Sequence, residues 1–212
     1  MADSIKRFAS YIRRHGVRAT AARIALSWRH FRAGNWFVIY SCNPIGVQTA
    51  DQVALQGGTV ERRNARAEIP TGDLTLLENN WAPAIARRQI TERFARGASL
   101  WEFKIGEEFA GYGWTIAGAT MEPYFFPLQP EQVHLFDFFV FPEFRGRRIN
   151  PMLVNYILSQ LKSEKRSRAF IEAAAWNAPQ LSSLRRTPFQ LYGNASKRQW
   201  LGKTRVTWRG AK

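Results

Sequence analysis

The run Asp137-Phe-Phe-Val-Phe-Pro-Glu-Phe-Arg145-Gly-Arg-Arg-Ile-Asn150-Pro151 constrains the fold more than any other stretch of the chain. An apolar strand leads into a basic, glycine-containing turn, and the turn opens directly into a helix. Asn150 suits the N-cap and Pro151 the first helical position, so a helix is expected to start there. Beyond it Met152, Leu153, Tyr156, Ile157 and Leu161 recur at helical spacing and give one apolar face. Such a unit presents free backbone N–H groups and the positive end of a helix dipole, which together attract a pyrophosphate. An ordinary strand-to-helix connection reads the same way locally, so the surroundings have to decide between the two.

A chain of 212 residues fits one domain with an extension, or two small domains. The expected division is a basic helical extension and linker over 1–66, followed by a mixed α/β domain over 67–212. Apolar residues at 45% and aromatics at 14% supply a substantial core and exclude wholesale disorder. A single cysteine, Cys42, excludes an internal disulfide and gives no cysteine cluster for a metal, so no metal is expected. No apolar run approaches the roughly 18–20 residues that span a bilayer, and no secretory signal is evident. Cytoplasmic residence is the expectation.

The net charge of +15 implies an anionic partner: nucleic acid, anionic lipid or a phosphorylated small molecule. The charge is uneven. Residues 1–34 carry eight Lys or Arg against one acidic residue, Asp3, and the tail from Arg198 holds five basic residues and no acidic one. Scattered Lys and Arg also serve simply as a solvated surface.

Two basic helical segments are expected over 2–15 and 18–33, with Ile24, Trp28 and Phe31 sharing a face. Three roles fit them: covering the domain, lying on an anionic membrane surface at the inner face, or contacting a partner in a homodimer. Trp36–Tyr40 reads as a short strand, 43–66 as a linker, Leu74–Leu77 as a possible strand, and 81–96 as a helix stopped by Gly97. Ser99–Ile105 and Phe109–Ile116 form a hairpin around residues 106–108. A strand over Gln132–Val140 precedes the loop and helix, followed by a strand over Arg168–Ala175 and a short helix over Pro179–Arg186. Phe189–Tyr192 and Val206–Trp208 read as terminal strands. The order indicates a mixed α/β (α+β) domain with a largely antiparallel sheet flanked by helices.

At this point the residues resemble the GNAT superfamily of acyl-CoA-dependent N-acetyltransferases. Arg145-Gly146-Arg147-Arg148-Ile149-Asn150 sits where the family has Arg/Gln-x-x-Gly-x-Gly/Ala between its fourth strand and third helix. Asp137-Phe138-Phe139-Val140 looks like the end of that strand in polyamine and aminoglycoside acetyltransferases. Trp176-Asn177-Ala178-Pro179 through Thr187-Pro188-Phe189 looks like its Asn-x-x-Ser…Lys-x-Gly-Phe segment. Gly106 through Trp114 resembles the hairpin upstream. The likeness covers roughly residues 68–200. It departs from the pattern at Arg148 and Asn150, where the family favours Gly, and at Pro188, which replaces a Gly.

The resemblance implies acetyl transfer from acetyl-CoA to a primary amine in a ternary complex. Arg145–Asn150 would hold the pyrophosphate, Asn177 and either Ser182 or Ser183 the pantetheine arm, and a backbone N–H near Phe139 or Val140 the acyl carbonyl. Asn177 also suits a helix cap. The family's acidic residue before the strand's Asp is here Phe136, and its Tyr is here Leu184, so neither role is carried over. His134 and Asp137 remain as titratable candidates on the strand. His134 shares strand parity with Phe136, Phe138 and Val140, and its intrinsic pKa suits a base. Asp137 points to the other face on that parity. A structural role for His134, a water-mediated proton path and Glu131 stand beside these. The basic charge disfavours a polycationic acceptor and favours a neutral or anionic one, by analogy with bacterial polysaccharide or cell-envelope enzymes. The rival readings are a basic nucleic-acid-binding protein, which no motif supports, and an acyl-CoA-binding module without transfer activity.

Overall fold

The computed structural model describes residues 36–50, 53–80, 83–121, 124–200 and 203–210. The basic segments expected within 1–34 lie outside the described residues. Eight strands form one sheet in the order β2-β3-β4-β5-β6-β1-β7-β8. They are β1 (Trp36–Cys42), β2 (Gly58–Arg63), β3 (Ser99–Ile105), β4 (Glu108–Ala117), β5 (Gln132–Val140), β6 (Arg168–Ala174), β7 (Gln190–Trp200) and β8 (Lys203–Gly210). The helices are α1 (Thr71–Asn79), α2 (Pro83–Ala95), α3 (Ile149–Ser163) and α4 (Ala178–Leu184). Every strand pair is antiparallel except β5 and β6. The mixed, largely antiparallel sheet expected from the sequence is therefore what forms. None of these helices is long and apolar enough to cross a membrane.

The parallel pair requires a crossover, and α3 supplies it. Leu153, Val154, Ile157, Leu158 and Leu161 bury the inner face of α3 on the sheet with Trp101, Leu135 and Ile171, and Tyr156 meets the Trp101 ring edge-on. On the opposite face, Phe94 of α2 meets Trp114 edge-on. Farther along that face, the 124–128 segment lays Phe125 and Phe126 against Phe37, Phe170 and Trp208.

Several expectations require correction. Residues 43–66, read as a linker, contain β2. It forms an edge of the sheet, mostly exposed, so it lacks the apolar alternation that marks a half-buried strand. β1 lies between β6 and β7, so the sheet draws strands from well before residue 67. Leu74–Leu77 belongs to helix α1: Leu77 and Asp73 are its buried positions, one turn apart, and a short apolar run does not separate helix from strand. Helix α3 begins two residues early, with Arg148 rather than Asn150 at its N-cap. The terminal strands are longer than expected and pair as a hairpin, from Gly193↔Gly210 to Trp200↔Lys203.

Candidate functional site

β5 and β6 start as hydrogen-bonded neighbours and then part. Their pairing runs from Gln132↔Arg168 to Leu135↔Ile171 and stops, although both strands continue. β6 goes on with β1 as far as Phe37↔Ala174. β5 instead follows β4 through a bulge, in which Asp137 and Phe138 together face Gly113: Trp114 pairs with Phe136, but Tyr112 pairs with Phe139. Asp137 takes a left-handed conformation there, φ 51°, which aspartate tolerates better than most side chains. A bulge bends its strand and raises the local twist, and the two halves of the sheet open from that point.

The bulge also resets the alternation of side chains. Phe136 stacks on Trp114 and Phe139 on Tyr112, so residues three apart share one face. His134 therefore shares a face with Phe136 and Phe139, not with Phe138 and Val140 as simple parity predicts. Asp137 is not on the far face either. Its carboxylate pairs at 2.5 Å with Arg93 of α2, whose guanidinium lies over the Trp114 and Phe136 rings. Phe138 turns the other way, over Gly113, where a Cβ would collide with its ring.

Past the opening lies a cavity of about 560 Å³. Its inner wall is Phe138, Phe139 and Val140; its floor is Arg145, Gly146 and Arg148 through Pro151; its outer wall is α4. The sequence-derived candidates Phe139, Val140, Arg145, Gly146, Arg148, Ile149, Asn150, Asn177 and Ser182 all line it. Arg147 does not, and lies over the Phe144 ring instead. His134 and Asp137 do not line it.

Local chemistry explains the floor. Gly146 and Arg148 both have positive φ, 82° and 59°. The glycine preference at position 148 thus reflects a left-handed helix cap, which Arg148 occupies at some strain. The Arg145 side chain folds back, its Nε–H donating to the Val140 carbonyl at 3.2 Å while the guanidinium lies over Phe139. Phe141 N–H donates to Ala110 on the β4 side. The alternation of an antiparallel ladder then turns the Val140 N–H to the other edge, toward the opening. At α3 the first intrahelical bond comes from Met152 N–H to Arg148, so the N–H groups of the first turn point outward without intrahelical acceptors.

Helix α4 is tied to this floor. Asn177 caps it by accepting from Gln180 N–H at 3.2 Å, and the Asn150 amide donates to the Gln180 side chain at 3.2 Å. Asn150 Oδ1 and Ser183 Oγ are buried without a hydrogen-bond partner among the described residues. Both residues line the cavity, as does Arg186, and no lining residue is acidic. Ser183, the alternative to Ser182, lines it too, whereas Gln180 and Arg186 were not singled out in the sequence. Pro179, Ser182, Ser183 and Arg186 do fall at i, i+3, i+4 and i+7, one helical face, which was the available signal. The residues present fit a phosphate-bearing, partly apolar ligand such as acyl-CoA: cationic floor, apolar throat and unpaired buried polar atoms.

His134 belongs to a different neighbourhood. It is buried, with Nε2 2.7 Å from the Glu172 carboxylate of β6 and its ring stacked on Phe136 and against Tyr124. Burial pushes the Glu172 carboxyl up, but His134, Lys197 and Tyr124 outweigh it and hold it below the usual range. Burial and the nearby Glu172 raise the Tyr124 phenol well above its ordinary value. Cys42, also buried, has its thiol pushed up to about 11 by desolvation. Leu184 is fully buried and contributes no acid.

No curated protein matches the chain closely enough to count as a relative. Among solved structures, a GNAT-family acetyltransferase from Colwellia psychrerythraea matches with a TM-score of 0.51 and 12% identity, over 74% of this chain and 53% of that one. A tandem GNAT protein from the clavulanic acid biosynthesis pathway matches with a TM-score of 0.52 and 15% identity, over 76% and 51%. The chain spans less than two thirds of the length of such structures, and at these identities the likeness concerns the fold. A model of the acetyltransferase (GNAT) family matches residues 68–186, more than half of the sequence. The chain belongs to the acetyltransferase (GNAT) family.

Proposed function

We propose that the protein is an N-acetyltransferase, moving an acetyl or related acyl group from acyl-CoA to a primary amine bound in the same complex. One observation carries this reading: the unpaired ends of β5 and β6 open onto a cavity with three arginines and no acidic residue. Acyl-CoA supplies an activated thioester. The loop Arg145–Asn150 and the first turn of α3 would hold its pyrophosphate through backbone N–H groups and the helix dipole. Phe138 and Phe139 would flank the pantetheine arm, with Asn150 and Ser183 offering it their unpaired polar atoms.

The Val140 N–H would donate to the acyl oxygen and stabilise the negative charge that develops there as the amine attacks. Because it is a backbone donor on a strand, it costs little reorganisation. Aligning two bound substrates supplies much of the remaining acceleration. The amine proton leaves through solvent in this reading, because His134 is engaged by Glu172 and Asp137 by Arg93, and neither lines the cavity. The net charge of +15 supports a neutral or anionic acceptor, such as an amino sugar carried on a phosphate, over a polycation.

Calorimetric titration with acetyl-CoA, followed by a mass-shift screen of amines, tests the proposal. One-to-one binding and a gain of one acetyl mass on an acceptor are expected. Binding without any transfer would reduce the protein to an acyl-CoA-binding module, and the absence of binding would remove the reading altogether.

A further inference from the structure

A second cavity, of about 380 Å³, adjoins the first and shares three of its residues: Arg148, Pro151 and Arg186. It runs outward along the first two turns of α3 past Met152 and Asn155 to Gln56. It contains no acidic residue. Neither Arg148 nor Arg186 has an acidic side chain within ion-pair distance among the described residues, whereas Arg63, Arg66, Arg87, Arg93 and Arg96 all do. Two guanidinium groups thus stand at the junction of the two cavities with their charge unspent.

From these observations we propose that the junction is a phosphomonoester site that recognises the 3′-phosphate of coenzyme A, and that Arg148 and Arg186 set the preference for CoA over its dephosphorylated form. The inference rests on the acyl-CoA reading above and extends it to the far end of the ligand. The order of groups supports it. With the pyrophosphate at the 145–150 loop, the nucleotide would lie next to Arg148, the loop residue that both cavities share. A phosphate monoester carries close to two negative charges at neutral pH. A guanidinium meets it with paired N–H donors, a geometry that the singly charged pyrophosphate oxygens already engaged by backbone N–H groups do not require. Because both arginines are exposed to solvent, the expected effect is moderate rather than absolute.

The test compares acetyl-CoA with 3′-dephospho-acetyl-CoA by calorimetry on the full chain. The wild type is expected to bind acetyl-CoA about tenfold more tightly. Arg186→Gln should bring that ratio to about threefold, with dephospho-acetyl-CoA binding little altered, and Arg186→Lys should fall between. Adenosine 3′-phosphate 5′-diphosphate should likewise compete with acetyl-CoA better than ADP does. Equal affinity of the wild type for the two acyl-CoA forms would overturn the phosphate site and leave the acyl-CoA reading standing. An equal loss for both ligands in Arg186→Gln would overturn the assignment of Arg186. Failure of either ligand to bind would overturn the reading on which the inference depends, and the inference with it.

Discussion

The first and second halves of β5 are alike in composition and opposite in surroundings. Residues 132–135 are paired in the sheet on both sides, with β4 and β6; residues beyond the bulge pair with β4 alone among the described strands. In the first half the polar group, His134, is matched by Glu172 across the parallel pair and enclosed by aromatic rings. In the second half backbone and side-chain groups face an open cavity, whose arginines, Arg145, Arg148 and Arg186, have no acidic partner among the described residues. The difference teaches that the strand offers groups to a ligand where the ladder is missing rather than where its titratable side chain sits. A satisfied polar pair inside a closed sheet is held by its neighbours; an unpaired edge is available to a ligand.

The most severe way to break this comparison is to remove the pair in the closed half. His134→Ala is expected to cost about 3 kcal/mol, combining the lost packing of a buried ring with the loss of the Glu172 carboxylate's nearest partner. Thermal or urea unfolding measures it. The pH dependence has a definite sign. The folded carboxyl of Glu172 lies below the usual range, so its stabilisation is present above the ordinary carboxylate pKa and is lost as pH falls through the depressed value. The penalty of His134→Ala should therefore shrink below about pH 4. The pH–rate profile of any transfer activity, measured below the melting transition, should keep its shape. A lost acidic limb with stability preserved would make His134 the working base and reverse the comparison.

A good part of this was legible beforehand, and the misses share a cause. The strand Gln132–Val140, the 99–117 hairpin and the gathering of residues from Phe139 to Asn177 around one cavity were readable because each rests on local pattern: periodicity, a turn or a cap. The bulge at Asp137 was not. It shows only when β5 is laid against β4, and it moves Asp137, Phe138 and Val140 off the faces that alternation assigns. The early start of α3 was hidden because Asn150 and Pro151 mimic a helix entry while Arg148 takes the left-handed cap. The position of β1 in the middle of the sheet is a long-range fact that no local window contains. Glu172 gave no signal either, since its partner lies 38 residues away in sequence.

Asp137 holds the boundary between the two halves. Asp137→Ala should cost about 2 kcal/mol, from the lost Arg93 pair and from an alanine forced to positive φ. Asp137→Gly should recover about 1 kcal/mol of that, because glycine accepts the conformation freely. If the two substitutions destabilise equally, the left-handed bulge is not what the position requires. Gly113→Ala approaches the same boundary from β4. The added methyl meets the Phe138 ring, so the ring must shift relative to the cavity it lines. An overpacking cost of about 1 kcal/mol is expected, together with an acetyl-CoA affinity lower by several-fold. An affinity unchanged by calorimetry would show that Phe138 does not border the bound ligand.

The smallest effect is expected at Arg148, and it is the one in which stability and binding move in opposite directions. Its φ of 59° strains an arginine, by about 1 kcal/mol or somewhat more relative to glycine. Arg148→Gly relieves that strain but admits a more flexible unfolded chain, which offsets part of the gain. A net stabilisation of about 0.5 kcal/mol is expected in chemical unfolding. The same substitution removes a guanidinium from the junction of the two cavities, so acetyl-CoA binding should weaken by several-fold while the protein becomes more stable. In the closed half of β5, removing a polar group costs stability because the group is satisfied there. At the open end the strained residue lowers stability, and in the proposed site its guanidinium serves the ligand instead. If Arg148→Gly stabilises the fold and binding is untouched, the arginine is a tolerated departure from glycine and the anion site must rest on Arg186 alone.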